Sequence, residues 1–431
     1  MQMRDARANL LGIYLSVPFC RSKCTYCNFA SGVYPASEHT RYVERVIEDL
    51  RGAGAWADEV GAELPRRVDT VYLGGGTPSL LEPELLARLF AAMRAEFAFE
   101  ADAEITVECA PGQIGDGALE ALVAAGVNRV SLGVQSFVDS EARGSGRMHS
   151  RAVVEDDLRR LRGAGIANLN VDLIAGLAGQ TLASWEESLE AVVDAGTPHA
   201  SVYMLEVDED SRLGREMLAG GARYHAELVP GDDAIARMYE RAQERLDAAG
   251  VQQYEISNFG RAGLESRHNL RYWERRPYLG LGLDASSALL AAEVLDEKSA
   301  REARFVLRAT TSDDLKTFLE RPETKATGKK RRAWGGAVET AWLGPERQHE
   351  EAWFLGLRLN AGVDAAALER EFGAEPVGRA RAVVERLVAD ELLERDGGRV
   401  RLTERGRMLS NDVFQEFLDL AACGAGAGNR E

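Results

Sequence analysis

Cysteine is scarce in this chain: five residues in 431, unevenly spread. Cys20, Cys24 and Cys27 crowd into one short stretch, while Cys109 and Cys423 stand alone. An odd, clustered set is not the framework of a small secreted disulfide protein. In a reducing compartment clustered thiols more often serve metal or redox chemistry. Positive charge is also short, with Lys+Arg 52 against Asp+Glu 69 and a net charge of -17. That argues against nucleic-acid binding and against adhesion to anionic membranes, since both need a basic face. Long apolar runs are missing. None approaches the ~20 residues of a membrane helix, and the opening MQMRDARANL holds no apolar signal core. A cytoplasmic location is the expectation. What remains is ordinary for a globular chain, 45% hydrophobic and 28% charged, with room for one large core and a smaller domain.

Strand-like runs start at Leu10, Asp69, Glu104, Arg129, Asn168 and Ala200. Between them lie helical patterns such as TRYVERVIEDL, PELLARLFAAMRAEF, LEALVAAG and SWEESLEAVVDAG. Gly126, Gly165 and Gly196 sit where helix C-caps belong. Strand–helix alternation predicts a parallel sheet with right-handed crossovers. Six such units fit a barrel or partial barrel, whose chemistry lies beyond the C-terminal strand ends. The regularity fades after about Asp210. The basic stretch KATGKKRRAWGG, including Lys329–Arg332, reads as a solvated loop. From about Glu346 short helices are followed by a β-like piece at Gly397–Leu402, which resembles a winged helix. The expected organisation is a core domain over 1–235, a linking region over 236–345, a C-terminal helical domain over 346–421 and a disordered tail over 422–431.

Cys20-x3-Cys24-x2-Cys27 follows the first strand directly. Three thiolates on a short loop can hold three irons of a [4Fe-4S] cube and leave the fourth open to another ligand, whereas the usual all-cysteine cluster takes four. A zinc knuckle or scattered reduced thiols are the plainer alternatives, although zinc wants four ligands and no nearby His or Cys completes a set. At the end of the second strand, Leu73-Gly74-Gly75-Gly76-Thr77-Pro78-Ser79 allows close backbone approach, and its amides can pair with the polar end of a ligand. Alone it reads as a tight turn.

SVPFCRSKCTYCNF together with GGGTP resembles the signature of the radical S-adenosylmethionine (SAM) superfamily. The resemblance spans most of the chain. Tyr14 with PFC, GGGTPSLL, GVNRVSLGVQSF, GRMH, NVDLI and HNLRYW are similar to the coproporphyrinogen-dehydrogenase-like group, and within it most similar to the heme chaperones called HemW. The dehydrogenases carry a fourth Cys two positions after the third, where this chain has Phe29. They also have a longer N-terminal segment, where here 19 residues precede Cys20.

The resemblance implies a radical SAM partial (βα)6 barrel in the α/β class, followed by a linking region and a small α-rich, winged-helix-like domain. It implies that Cys20, Cys24 and Cys27 bind the cluster. It places Tyr14, Tyr26, Gly75, Gly76, Thr77, Glu108, Gln135, Arg147 and Asp172 around SAM, the last three at positions that serve a second SAM in the dehydrogenases. His268-Asn269-Leu270-Arg271-Tyr272-Trp273 resembles the HNxxYW heme motif, so His268, Tyr272 and Trp273 are expected to meet heme. If the motif is a helix lying across the barrel mouth, Arg271, Arg275 and Arg276 can pair with the propionates. The chain departs from the family at Ser16, where His is usual, at Glu108-Cys109-Ala110-Pro111 for E-x-N-P, and at Gly176-Leu177-Ala178 for G-L-P. Several other residues read more simply. Cys109 reads as a small buried hydrophobe, Cys423 as an inert thiol, and His39, His199, His225 and His349 as structural or solvated. Glu108 and Asp172 can also cap the following helices. For His149, in GRMH, loop positioning and ligand contact weigh equally, and a lone His beside Tyr and Trp, as His268 is, more often packs than ligates.

The expected function is a cytoplasmic heme chaperone that binds heme and passes it to an acceptor protein. Its cofactors would be a [4Fe-4S] cluster and SAM. There is a place for an electron donor and for peripheral contact with membrane-bound acceptors, and no nucleic-acid partner. Coproporphyrinogen dehydrogenase activity is not expected. The rivals are that oxidative decarboxylase and a radical SAM enzyme acting on an unrelated substrate.

Overall fold

The computed structural model describes residues 9–292, 305–320, 323–326, 329–332, 334–335, 338–418 and 420. Six parallel strands form the core: β1 (Leu11–Val17), β2 (Arg67–Gly75), β3 (Ala98–Cys109), β4 (Arg129–Gln135), β5 (Asn168–Ala175) and β6 (His199–Met204). They lie side by side in chain order. Outer helices follow them at Ala36–Val60, Pro83–Glu96, Asp116–Ala124, Arg151–Gly163, Leu182–Ala195 and Asp232–Ala248. This is the α/β partial barrel expected. Gly126, Gly165 and Gly196 take left-handed φ values of +82°, +90° and +62° and end their helices.

Apart from local irregularities such as that between Val68 and Thr70, the strands alternate, and the two faces differ in kind. Leu11, Ile13, Leu15 and Val17 of β1, Val71 and Leu73 of β2, Ile105 and Val107 of β3, and Val130, Leu132 and Val134 of β4 pack into the core shared with the helices. The intervening positions are polar or small: Tyr14, Tyr72, Glu108, Ser131, Asn170, Asp172 and Ser201. A period of two sends these to the opposite, inner face. Parallel strands covered on both sides usually read as continuous apolar runs, so the polar inner set marks a barrel whose interior is not simply packed with hydrocarbon.

The sheet does not stop at six strands. β7 (Gln252–Glu255) and β8 (Asn258–Gly260) add antiparallel beyond β6. β9 (Tyr278–Gly282) runs parallel to β1, and β10 (Ser286–Leu290), β11 (Val306–Thr310) and β14 (Glu339–Leu343) continue that edge, giving twelve strands among the described residues. The region expected to link two domains therefore supplies half the strands of the sheet, and the helix Asp232–Ala248 crosses residue 235. The loop expected at Lys329–Arg332 is instead a strand, β13 (Lys329–Arg332), paired antiparallel with β12 (Glu323–Ala326). Charge at that run speaks for solvent exposure and does not exclude an extended segment.

The C-terminal part has its own core of Trp353, Phe372, Val384, Leu387, Leu402 and Phe417. Helices Pro345–Leu357, Ala365–Phe372 and Ala374–Ala389 precede the hairpin of β16 (Leu393–Asp396) and β17 (Arg399–Leu402), and β15 (Val363–Asp364) joins β17. The winged-helix reading stands. The tail expected to be disordered lies outside the described residues, as does Cys423.

Candidate functional site

The three clustered cysteines stand on the loop after β1, none of them in a disulfide. Backbone bonds pin that loop: Cys20 N to Gly32 O at 2.9 Å, Thr25 N to Ser145 O at 3.1 Å and Cys27 N to Cys24 O at 3.4 Å. The Lys23 ammonium donates to the carbonyls of Phe29 and Ser31, each at 3.1 Å. Burial pushes the Cys20 thiol up, while the Ser31 and Thr77 hydroxyls beside the sulfur favour its thiolate. Arg147 donates to the Tyr26 hydroxyl at 3.3 Å, which fastens the segment after β4 to the cysteine loop. Phe29, at the position of the dehydrogenases' fourth Cys, is exposed.

The glycine turn meets this loop from the side. Gly76 N donates to Val17 O and Thr77 N to Phe19 O, both at 2.8 Å. A Cβ at Gly76 would lie 2.7–2.9 Å from Val17 O, Phe19 O and Phe19 N, so the missing side chain is required by the chain itself. The amides expected to greet a ligand are thus taken by the cysteine loop. Gly75 adopts φ +96°, a conformation open to glycine, and its N–H donates to Glu108 Oε2 at 3.2 Å. The other carboxylate oxygen accepts from the Tyr72 hydroxyl at 2.8 Å. Burial pushes the Glu108 carboxyl up to about 7; the Tyr72 bond opposes this and the neighbouring Asp172 adds to it.

Asp172 is held by Ser131 Oγ at 2.9 Å and Asn170 Nδ2 at 2.7 Å, and burial raises its pKa despite these bonds. Gln135 ends β4 with φ +68°, an uncommon conformation for a residue with a side chain. Strain of this kind persists where surroundings enforce it and clusters at binding sites. Cys20, Cys24, Tyr26, Cys27, Gly75, Gly76, Thr77, Glu108, Gln135, Arg147 and Asp172 all line one cavity of about 1050 Å³. Tyr14 does not line it; its ring packs 6.2 Å from that of Tyr72 and 6.5 Å from that of His268.

The same cavity is lined by residues that motif reading missed. Tyr72, Arg129, Ser131, Asn170 and Ser201 come from the inner strand faces, and Arg358 and Met408–Asp412 from the C-terminal part. The period-two polar positions were the available signal for the first group. Nothing in the linear sequence pointed to the second.

The HNLRYW motif occupies the other end of the strands. It forms the short helix Arg267–Trp273. His268 is 1% exposed, its Nδ1 bonded to Thr70 Oγ1 and its Nε2 to the Tyr272 hydroxyl, each at 2.9 Å. The backbone N of His268 donates to Glu104 Oε1 at 3.0 Å. Arg271 is fully buried. It pairs with Asp69 and donates to Leu10 O and Pro277 O, each at 2.8 Å. Gly12 leaves room for it, since a Cβ there would sit 2.4 Å from the Arg271 side chain. Arg276 also pairs with Asp69, and Arg275 with Glu371. Trp273 lies under the Arg358 guanidinium, 4.2 Å from its ring centre. Thr70, Asp69 and Leu10 begin their strands, whereas the cysteines follow a strand's end. The helix therefore closes the barrel base and does not lie across the mouth as expected. The three arginines meet carboxylates of the chain itself, not the outside charge foreseen for them.

Residues 14–192 match the family model for the Radical SAM superfamily, and residues 343–409 match the HemN C-terminal domain. The chain is 31% identical to the heme chaperone HemW of Lactococcus lactis over 405 residues, covering 94% of this chain and 96% of that protein. It is 30% identical to the heme chaperone HemW of Bacillus subtilis over 406 residues, with 94% and 98% covered. Coproporphyrinogen III oxidase (HemN) from Escherichia coli, a radical SAM enzyme, has a similar structure. The TM-score is 0.76 at 21% identity, over 95% of this chain and 90% of that one.

Proposed function

The chain belongs to the HemW family of radical SAM proteins, and from that premise we propose that it is a heme chaperone, binding heme and passing it to an acceptor protein. The family implies SAM and a [4Fe-4S] cluster. Cys20, Cys24 and Cys27 suit the cluster. Among the described residues no three His, Cys, Asp or Glu side chains gather as a single-ion site, and each iron of a cube takes only one thiolate. With SAM on its open iron, such a cluster can supply one-electron chemistry. Glu108 would accept from the amino group of SAM and Gln135 and Arg147 would meet its polar groups, while Asp172 holds Ser131 and Asn170 in line.

The observation that carries the reading is the cavity. It runs from the polar strand interior past the cysteine loop to Met408–Asp412. At about 1050 Å³ it is at the top of the range, roughly 300–1,000 Å³, of pockets for compact ligands. Its rim turns apolar at Phe29, Met148 and Leu409, all exposed, as the flat face of a porphyrin requires. His268, Tyr272 and Trp273 serve on this reading as the framework of the barrel base, with both ring nitrogens of His268 already engaged. An electron donor and the acceptor are partners that the chemistry calls for. No described helix is long and apolar enough to cross a membrane, so contact with a membrane-bound acceptor would be peripheral.

The test is one anaerobically reconstituted sample given both a heme titration and a coproporphyrinogen assay. About one heme per chain and no decarboxylation supports the chaperone. Decarboxylation without heme uptake would transfer the site to the dehydrogenase reading, and neither result would point to an unrelated radical SAM substrate.

A further inference from the structure

The chain has six histidines, and five of them are committed or lie away from the cavity. His268 has both ring nitrogens bonded. His199 is held between Asn170 Oδ1 at 2.6 Å and the Tyr254 hydroxyl at 2.9 Å. His39 pairs with Glu82 at 3.2 Å, and His349 Nε2 accepts from the Trp353 indole at 3.0 Å. His225 is exposed and is not part of the cavity wall. His149 differs from all of these: it lines the cavity, is 5% exposed, and its Nε2 is buried without a partner.

The Val134 backbone acts on the ring as a hydrogen-bond partner that favours its protonation, against burial and the Arg147 guanidinium. With Nε2 unpartnered, a neutral ring whose proton is on Nδ1 carries a free lone pair on Nε2. Histidines that bind metals offer such a lone pair. Burial, and then the neighbouring Arg147 guanidinium, lower its pKa to about 4, so the imidazole is neutral under ordinary conditions. Its surroundings fit a porphyrin as well. Met148, next in the chain, is 72% exposed on the same cavity wall, and Phe29 and Leu409 complete the apolar rim.

Resting on the heme-chaperone reading above, we propose that His149 supplies an axial ligand to the heme iron, with the porphyrin seated at the cavity rim against Met148, Phe29 and Leu409. The ligand forms by donation of the Nε2 lone pair to iron. No proton moves, because the neutral ring keeps its proton on Nδ1. Nε2 is screened from water, so ligation includes a small adjustment of the 147–149 segment.

The test is a hemin titration of the full-length, cluster-reconstituted protein, comparing wild type with His149→Gly, His149→Met and His268→Gln. His149→Gly should shift the Soret band and weaken heme binding at least about tenfold. Added imidazole should restore both, and iron and sulfide content should stay at the wild-type level. His149→Met should give a changed, methionine-type spectrum. A folded His268→Gln should keep the wild-type spectrum. If wild type binds heme and both His149 variants take it up with unchanged spectrum and affinity, the ligand assignment is overturned while the chaperone reading stands. Loss of the cluster in both His149 variants would make the residue part of the iron–sulfur site and likewise overturn it. If wild type takes up no heme, the function itself falls and the ligand assignment with it.

Discussion

The Tyr72 hydroxyl donates to Glu108 at 2.8 Å, and this bond is too weak to offset the burial that pushes Glu108 up to about 7. Such a carboxyl keeps its proton in the folded protein where the unfolded chain has already released it. Between about 4.5 and about 7 the folded state therefore binds more protons, so this group makes stability fall as pH rises and adds no further slope above that window. Glu108→Gln should flatten that slope in denaturant titrations of the ligand-free protein. A cationic amino group bound at Glu108 favours the carboxylate, so SAM affinity should rise between pH 6 and 8 in wild type and stay level in the variant. Anaerobic calorimetry at several pH values reads this directly.

Iron content separates the thiols. Cys20→Ala, Cys24→Ala and Cys27→Ala should each fail to assemble the cluster on anaerobic reconstitution, where wild type takes up about four irons per chain. Cys109 is 4% exposed and burial pushes its thiol up to about 12, so it stays a protonated, inert group. Cys109→Ala should keep full iron. Loss of iron there would mean that the cluster is assigned to the wrong sulfurs.

Gly76→Val tests a coupling that motif reading had not anticipated. The added side chain meets the backbone of Val17 and Phe19, which leads straight into Cys20. Iron and SAM binding should fall together, with a stability loss of about 1–3 kcal/mol, as in other overpacked sites. Gly163→Ala is the control, because nothing lies within 4 Å of its Cβ position and its backbone is helical. Iron retention with selective loss of SAM in Gly76→Val would instead make the turn a direct ligand contact.

Arg271→Met removes one arginine from the buried Asp69, which keeps Arg276, together with the bonds to Leu10 O and Pro277 O. A cost of about 1.5–3 kcal/mol is expected for the lost bonds to a charged group, read as a lower denaturation midpoint. Protein that remains folded should bind heme with the wild-type spectrum. A changed Soret band at unchanged stability would return the HNLRYW segment to direct contact with the porphyrin.

Much of the barrel was legible because β1 to β6 each pair an apolar outer set with flanking glycines, and because the three cysteines sit within one short loop. Glu108, Gln135 and Asp172 were expected from the resemblance, and the fold brings them with the cysteine loop to one cavity. The placement of HNLRYW did not follow. A helix with His268 and Tyr272 four residues apart looks the same in sequence whether its shared face meets a ligand or, as here, lets the two side chains bond to each other. Its partners, Thr70, Asp69 and Glu104, are more than 160 residues away, and only the fold decides between the two. The basic run at Lys329–Arg332 misled for a similar reason, since charge speaks for solvent exposure and not against a strand. For His149 the sequence weighs loop positioning and ligand contact equally, and the buried, unpartnered Nε2 is visible only in the fold.

With Arg271 and His268 filling the base, the polar layer at Arg129 and Asp172 shares one cavity with the exposed Phe29 and Met148. A small ligand in the polar layer and a broad one against the exposed side chains would then stand in each other's way. A small ligand added after the broad one should exchange more slowly than one added alone, however tightly either binds by itself.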